Sequence, residues 1–390
     1  MSNKTIDFSN TETAYSIKSN SELKLAQVMF SVLQSKALSQ AGRGLLKFSI
    51  NAHLPVKGII KATLFKHFIG GESINDTKKV MERLAEFNVH SILDYSLEGI
   101  EKEADFDAAV EEFKANVMVA AEREEVPFSV FKPSAIATHK ILEKVTAGAN
   151  LSEAETAEFE RVRNRFHAIF KLAHQKGVRV MIDAEESWIQ GAIDQLAEEM
   201  MIAYNKEQVI AMNTFQMYRH DRLNYLKQSY QKAQENGVKL GAKLVRGAYM
   251  EKERERAEEK GYPSPINATK QDSDNSYNSG VEFCLNHIDN LELFIGTHNE
   301  KSVQLAVNEM TKLGLDANDS RVWFSQLYGM CDHITFNIAK HGYNVAKYVP
   351  YGPVKAVIPY LLRRADENSS VAGQAAYELQ LLKSELKRRK

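Results

Sequence analysis

The chain has 390 residues, 44% hydrophobic and 26% charged, with a formal net charge of -1. That is an ordinary globular composition, long enough for one large domain or two smaller ones, and it gives no electrostatic reason to expect a nucleic-acid partner. The two cysteines, Cys284 and Cys331, are far apart and form no CxxC, so they suggest neither a disulfide framework nor a zinc knuckle, and two small buried residues in a reducing compartment fit them best.

The first residues, "MSNKTIDFSNTETAY", carry acids, lack arginine and have no apolar h-region. Neither a secretory signal nor a mitochondrial presequence is expected there. No run of apolar residues is long enough to cross a bilayer, and a cytoplasmic location is the expectation. Residues before about 85 read as mostly helical. From there apolar, β-branched runs alternate with amphipathic helical sequence. The strand candidates are 89–96, 127–135, 178–186, 209–218, 239–249, 291–299, 321–330 and 344–352. Glycine precedes several of them, as in "HQKGVRVMI", "QENGVKLGAKL" and "AKHGYNVAKY", where it would end the incoming helix.

Eight strand-helix units have the size of a (β/α)8 barrel, whereas an open doubly wound sheet usually has fewer strands. The expected fold is therefore α/β: a (β/α)8 TIM-type barrel over 86–375, preceded by an N-terminal helical arm over 1–85. A basic helix end, "LLKSELKRRK", closes 376–390. Its cations suit a helix C-terminus, or else a membrane surface.

In such a barrel the chemistry lies at the C-terminal ends of the strands. Those ends carry Asp94, Lys132, Asp183 with Glu185, Gln216 with Tyr218, Lys243 with Arg246 and Tyr249, His298 with Asn299, Gln326, and Tyr348. Each has an ordinary structural explanation by itself. Lys132 precedes Pro133 and could be a loop lysine; Asp183 could cap a helix in competition with Glu185, Glu186 and Ser187; His298 and Tyr348 could be packing. Together they are harder to dismiss, because buried polar groups cost free energy unless they meet partners or a ligand. Their excess of cations points to an anionic ligand. In "YLLRRADENSS", helical spacing would put Tyr360, Arg363, Arg364 and Glu367 on one face. That face is either a solvated ion-pair surface or an anion clamp, and this stretch alone leaves both open.

"KLVRGAYMEKER", "GTHN", "SQLYGMCD", "KYVPYGP" and "YLLRRADENSS", in this order, resemble flavin-dependent proline dehydrogenases. The resemblance covers about Tyr95 to Ser370 and is nearest in wording to the eukaryote-like mitochondrial branch. It implies FAD-dependent oxidation of L-proline to Δ1-pyrroline-5-carboxylate, the first step of proline catabolism, by hydride transfer to flavin N5 and electron delivery to a quinone. It also implies that Arg363 and Arg364 clamp the substrate carboxylate with Lys132 as a third cation. Glu367 would hold an arginine, and Asp183 would pair with the clamp. Leu327, Tyr348 and Tyr360 would wall the proline ring, with Tyr249 on the substrate side. Gln216, Lys243, Val245, Arg246 and Gly247 would contact the isoalloxazine and ribityl parts of FAD, and Thr297, His298, Asn299 and Gln326 the rest of the cofactor site. The catalytic set implied is Asp183, Lys243 and Lys132. Many bacterial members carry Arg where this chain has Lys243, and Lys where it has Arg246, so a point charge replaces a planar fork near the flavin. No GxGxxG occurs, so FAD would be held by barrel loops, and no HExxH or comparable cluster suggests a metal. A quinone acceptor makes a peripheral membrane contact at the basic C-terminal helix an expectation. The competing readings are an aldolase-type barrel using Lys132 or Lys243 as a Schiff base, a non-enzymatic barrel that binds an anionic metabolite, and a hydroxyproline-specific relative. Tyr348 argues against the last by crowding a ring hydroxyl.

Overall fold

The computed structural model describes residues 5–34, 65–97, 101–354, 356–358, 360–361 and 374–390. Eight strands, β1 (His90–Tyr95), β2 (Phe128–Phe131), β3 (Arg179–Ile182), β4 (Ala211–Gln216), β5 (Leu240–Val245), β6 (Leu291–Gly296), β7 (Val322–Leu327) and β8 (Val345–Tyr351), close into a barrel in sequence order. Every recorded pairing is parallel, including β1 with β8, where His90 lies opposite Ala346. The expected (β/α)8 barrel is therefore the fold.

Strands buried on both faces need near-continuous apolar runs, and "VAKYVPY" of β8 is buried at every position. The strands are shorter than the sequence suggests at their C-terminal ends. Pro133 turns the chain after β2 into a short 3-10 segment, Pro133–Ala135. After β3 the chain leaves at Asp183 and enters helix Ser187–Tyr204 within four residues. Lys132, Asp183, Glu185, Tyr218, Arg246, Tyr249, His298 and Asn299 thus lie in the turns that follow, whereas Asp94, Gln216, Lys243, Gln326 and Tyr348 stay within their strands.

Helix boundaries follow local chemistry. Capping boxes formed by Ser152 with Glu155 and by Thr269 with Asp272 start the helices Glu153–Lys176 and Lys270–Asn286. Gly177, Gly237 and Gly342 have φ of 67°, 64° and 82° at the three expected helix stops. Other L-residues would be strained there by about 1 kcal/mol.

The chain divides into two compact units, one built on Gly99–Ser325 and the other on Ile6–Glu98 with Gln326–Lys390. In the first, helices α3 (Glu103–Glu122) and α5 (Glu153–Lys176) pack on one another, and Phe131 of β2 meets Phe113 and Phe166 edge-on or tilted at 5.5 and 5.1 Å. In the second, helix α1 (Asn20–Gln34) packs against the C-terminal helix α12 (Gln374–Arg388), over a core that includes Leu23, Phe30, Phe68, Val357 and Leu382. At the end of α12 two arginines are paired. Arg388 and Arg389 pair with Glu385, and Arg389 also donates to the carbonyls of Lys18 and Tyr15 at 2.7 and 2.8 Å.

The second unit also buries a charge cluster. Lys347, 1% exposed in the middle of β8, contacts Asp332 at 2.8 Å, and Lys18 reaches the other Asp332 oxygen at 3.0 Å. Burial pushes the Asp332 carboxyl up, but the two lysines outweigh it and hold the group well below the ordinary range. Lys347 also donates to the carbonyls of Leu327 and Met330, fixing the turn after β7. Removing one partner of a buried ion cluster leaves an uncompensated charge. Lys347→Met is expected to lower unfolding free energy by about 3 kcal/mol, read from urea denaturation of the full chain. Adding Asp332→Asn should recover part of that loss; a neutral single variant would show that the cluster is not a constraint.

Candidate active site

The first unit brings together the residues at the ends of β3, β4 and β5. Lys243 is inside β5, between Thr214 of β4 and Phe294 of β6. Its Nζ reaches Oδ1 of Asp183, just past β3, at 2.6 Å. Their side chains are 7% and 14% exposed. The Asp183 N–H donates to the Phe131 carbonyl, so its backbone continues the sheet by one residue. A nearly buried cation and a nearly buried anion thus meet across one intervening strand. Lys243 is held as one half of an ion pair.

Two residues on, Glu185 is fixed from three sides. Its carboxylate accepts from the Ser134 N–H at 2.8 Å and from the Ser134 hydroxyl, which ties the β3 turn to the β2 turn. Its own N–H donates to Gln190 Oε1 at 2.9 Å, and its carbonyl accepts from Gln216 Nε2 at 3.0 Å. Gln190 in turn donates to Asp194, which is paired with Arg222 at 2.8 Å and also accepts from Asn213. Burial, then the neighbouring Glu186, push the Glu185 carboxyl up to about 7, with the Ser134 hydrogen bonds and the Lys132 cation working against the rise. Lys132, 7% exposed, is the residue between β2 and Pro133.

Gln216 is 1% exposed, and its Oε1 has no donor among the described residues. A buried amide oxygen left without a donor costs about 1–3 kcal/mol. A ligand N–H would satisfy it.

A second group forms where β5 and β6 end. The Arg246 guanidinium donates to Asp274 at 2.7 Å, to Thr297 Oγ1 at 2.8 Å and to Ser302 Oγ at 2.9 Å, and lies 4.4 Å from the centre of the Tyr277 ring. Asn299 caps the helix Glu300–Lys312 by accepting from the N–H groups of Lys301 and Ser302. His298 is half-buried in the same turn. Val245 is half-buried and ends β5, and Gly247 follows it with φ 139°. A Cβ at Gly247 would meet the Tyr218 ring at 2.4 Å, so only glycine fits that turn. Tyr249, half-buried, precedes the helix Met250–Lys260.

The remaining residues belong to the second unit. Tyr348 is 7% exposed on β8 and Tyr360 is 4% exposed. Leu327 ends β7, half-buried. Gln326 accepts from the Thr335 hydroxyl at 2.7 Å. Arg363, Arg364 and Glu367 lie outside the described residues. Sequence reasoning passed over Ser134, Gln190, Asp274, Tyr277, Ser302 and Lys347. Only Lys347 carried a signal, as a charge inside an apolar strand; Asp274 and Ser302 read as ordinary helix-surface residues.

A closed parallel barrel whose strand ends carry buried cation–carboxylate pairs is the frame of a barrel enzyme. Residues 77–376 match the family model described as proline dehydrogenase. "Proline dehydrogenase 1, mitochondrial" of Dictyostelium discoideum is 33% identical, over 97% of this chain and 74% of its own length. "Hydroxyproline dehydrogenase" of Xenopus laevis is 31% identical, over 85% of this chain and 78% of its own length. Proline utilization A from Bdellovibrio bacteriovorus, solved after inactivation by N-propargylglycine, has the same fold, with TM-score 0.73 and 22% identity over 92% of this chain. This chain spans only 38% of that larger protein. The chain belongs to the proline dehydrogenase family, enzymes of proline oxidation.

The raised Glu185 carboxyl gives a pH signature. A carboxyl whose folded value lies above its unfolded value adds stability that is complete below the unfolded value and is lost as pH rises through the folded one. Between pH about 4.5 and about 7, the wild type should lose stability relative to Glu185→Gln, by up to about 3 kcal/mol. Parallel stability curves for the two proteins across that window would contradict this.

Proposed function

We propose that this enzyme oxidises L-proline to Δ1-pyrroline-5-carboxylate with FAD as its cofactor and a quinone as the final acceptor. The observation that carries this reading is the Lys243–Asp183 pair at the strand ends of a barrel in this family. The residues present fit a flavin: Gln216 offers a buried acceptor in want of an N–H, Arg246 a braced cation, and Gly247 a turn with no Cβ. Bound FAD would supply the two-electron acceptor for the hydride that leaves the ring carbon next to nitrogen.

The chain's own residues would do the rest. Lys243, fixed by Asp183, presents a point cation, with Gln216, Val245, Arg246 and Gly247 beside it on the cofactor side. Thr297, His298, Asn299 and Gln326 complete that side. Arg363 and Arg364 bind the substrate carboxylate with Lys132, and Glu367 orients an arginine. A cation-rich pocket disfavours the ammonium form of proline and so favours the neutral amine that can expel a hydride. Leu327, Tyr348 and Tyr360 wall the ring, with Tyr249 on the substrate side. Electron delivery to a lipid-soluble quinone would require a peripheral membrane contact. With Arg388 and Arg389 paired to Glu385, Lys383 and Lys387 of α12 and Lys390 beyond it are the cations left to make it.

One relative is a hydroxyproline dehydrogenase, which favours a second reading for the ring substituent. The ring of Tyr348, where a smaller side chain would leave room for a hydroxyl, argues for proline. In a dye-linked assay L-proline should exceed trans-4-hydroxy-L-proline in kcat/KM by at least about 10-fold, a difference of roughly 1.4 kcal/mol. The reverse order would transfer the assignment to hydroxyproline. Arg364→Ala should raise the proline KM by about 10-fold or more, the scale of one lost charge-assisted hydrogen bond; an unchanged KM would remove Arg364 from the carboxylate clamp.

A further inference from the structure

The surroundings of Arg246 are built for a guanidinium. Of the five N–H groups of an arginine, three are committed: Nε to Asp274, one Nη1 hydrogen to Thr297 and one Nη2 hydrogen to Ser302. The plane lies over the buried ring of Tyr277, whose hydroxyl is 3.3 and 3.4 Å from the carbonyls of Gly296 and Leu244 at the ends of β6 and β5. A lysine ammonium carries its three donors on one atom, whereas these three acceptors each meet a different nitrogen of the planar fork. Asp274 supplies the only carboxylate among these contacts. Its second oxygen is taken by Lys270 at 2.6 Å, so its charge is shared and opposes a nearby anion little. The guanidinium is left with one N–H on each terminal nitrogen and is 23% exposed on its side chain.

We infer that Asp274 is a positioning residue for the cofactor: through Arg246 it fixes two guanidinium N–H groups for an anionic part of FAD, whose diphosphate is the chemistry such a fork recognises. This rests on the flavin reading above. Ser302, Thr297 and Tyr277 complete the brace. Their function is to hold Arg246: Lys243 meets one carboxylate, Asp183, whereas Arg246 meets a set of acceptors and a flat floor.

The experiment is a titration of the full-length apoprotein with FAD, followed by quenching of flavin fluorescence, for the wild type, Asp274→Ala, Asp274→Asn, Arg246→Lys and the Arg246→Lys/Asp274→Ala double variant. Thermal unfolding of each apoprotein is recorded alongside. Asp274→Ala is expected to weaken FAD binding by about 10-fold or more, the scale of one charge-assisted hydrogen bond. Asp274→Asn, which keeps an acceptor oxygen, should restore most of the affinity. In the Arg246→Lys background Asp274→Ala should weaken binding little further, because residues acting through one another are not additive. Additive losses, or a loss matched by a fall in melting temperature that asparagine does not rescue, would make Asp274 a support of the fold and overturn the inference. Wild-type affinity in Asp274→Ala, or tighter binding, would overturn it as well. Should Asp274→Ala fail to fold, Ser302→Ala against Ser302→Ala/Arg246→Lys makes the same cycle. A wild type that binds no FAD would fail the flavin reading itself, and is told apart by occurring before any variant is compared.

Discussion

A lysine ammonium and a carboxylate, nearly buried and 2.6 Å apart, hold the first unit's site in place. Neither charge is tolerable there without the other. The parallel barrel makes the pairing possible, because it aligns the strand ends at one face and points alternate side chains inward. Lys243 enters from β5 and Asp183 from the end of β3, so the pair spans β4, where Thr214 donates to the Ile182 carbonyl at 2.7 Å. Strand register places Lys243, and the first residue of the turn after β3, whose N–H still bonds the Phe131 carbonyl, places Asp183.

The turn that carries Asp183 is secured in depth. Glu185 binds the β2 turn through Ser134, the β4 end through Gln216 and helix Ser187–Tyr204 through Gln190. Glu253 accepts from the N–H and hydroxyl of Ser187 at 2.6 Å, in place of a cap that Glu186 does not provide. Networks of this kind are favourable only when fully satisfied. The Gln216 oxygen, without a donor among the described residues, is thus informative, since a ligand N–H there would satisfy it. The second unit uses the same logic: Asp332 with Lys347 and Lys18 fixes the turn after β7, next to Leu327.

The architecture was legible in the sequence because its signals are local and repeated. Strand runs such as "VIAMNTFQMY", helix-ending glycines at 177, 237 and 342, and polar residues at each strand end all repeat around the barrel. Strand ends were over-extended because β propensity does not register where a turn begins, as after Ile182. The pairing of Lys243 with Asp183 was not legible: sequence reasoning assigned Asp183 to the arginine clamp and Lys243 to the cofactor. Their contact depends on residues 60 apart meeting across a strand. The brace on Arg246 was hidden for a similar reason. Asp274 and Ser302 lie on two different helices, and each looks like a solvated residue on its own.

The central claim is that a flavin lies against this charged strand-end surface and receives electrons from proline. The most direct measurement is the visible absorbance of the FAD-loaded protein during anaerobic addition of L-proline. Loss of the oxidised flavin band in proportion to added proline is the predicted result. A band that persists through excess proline would contradict the account.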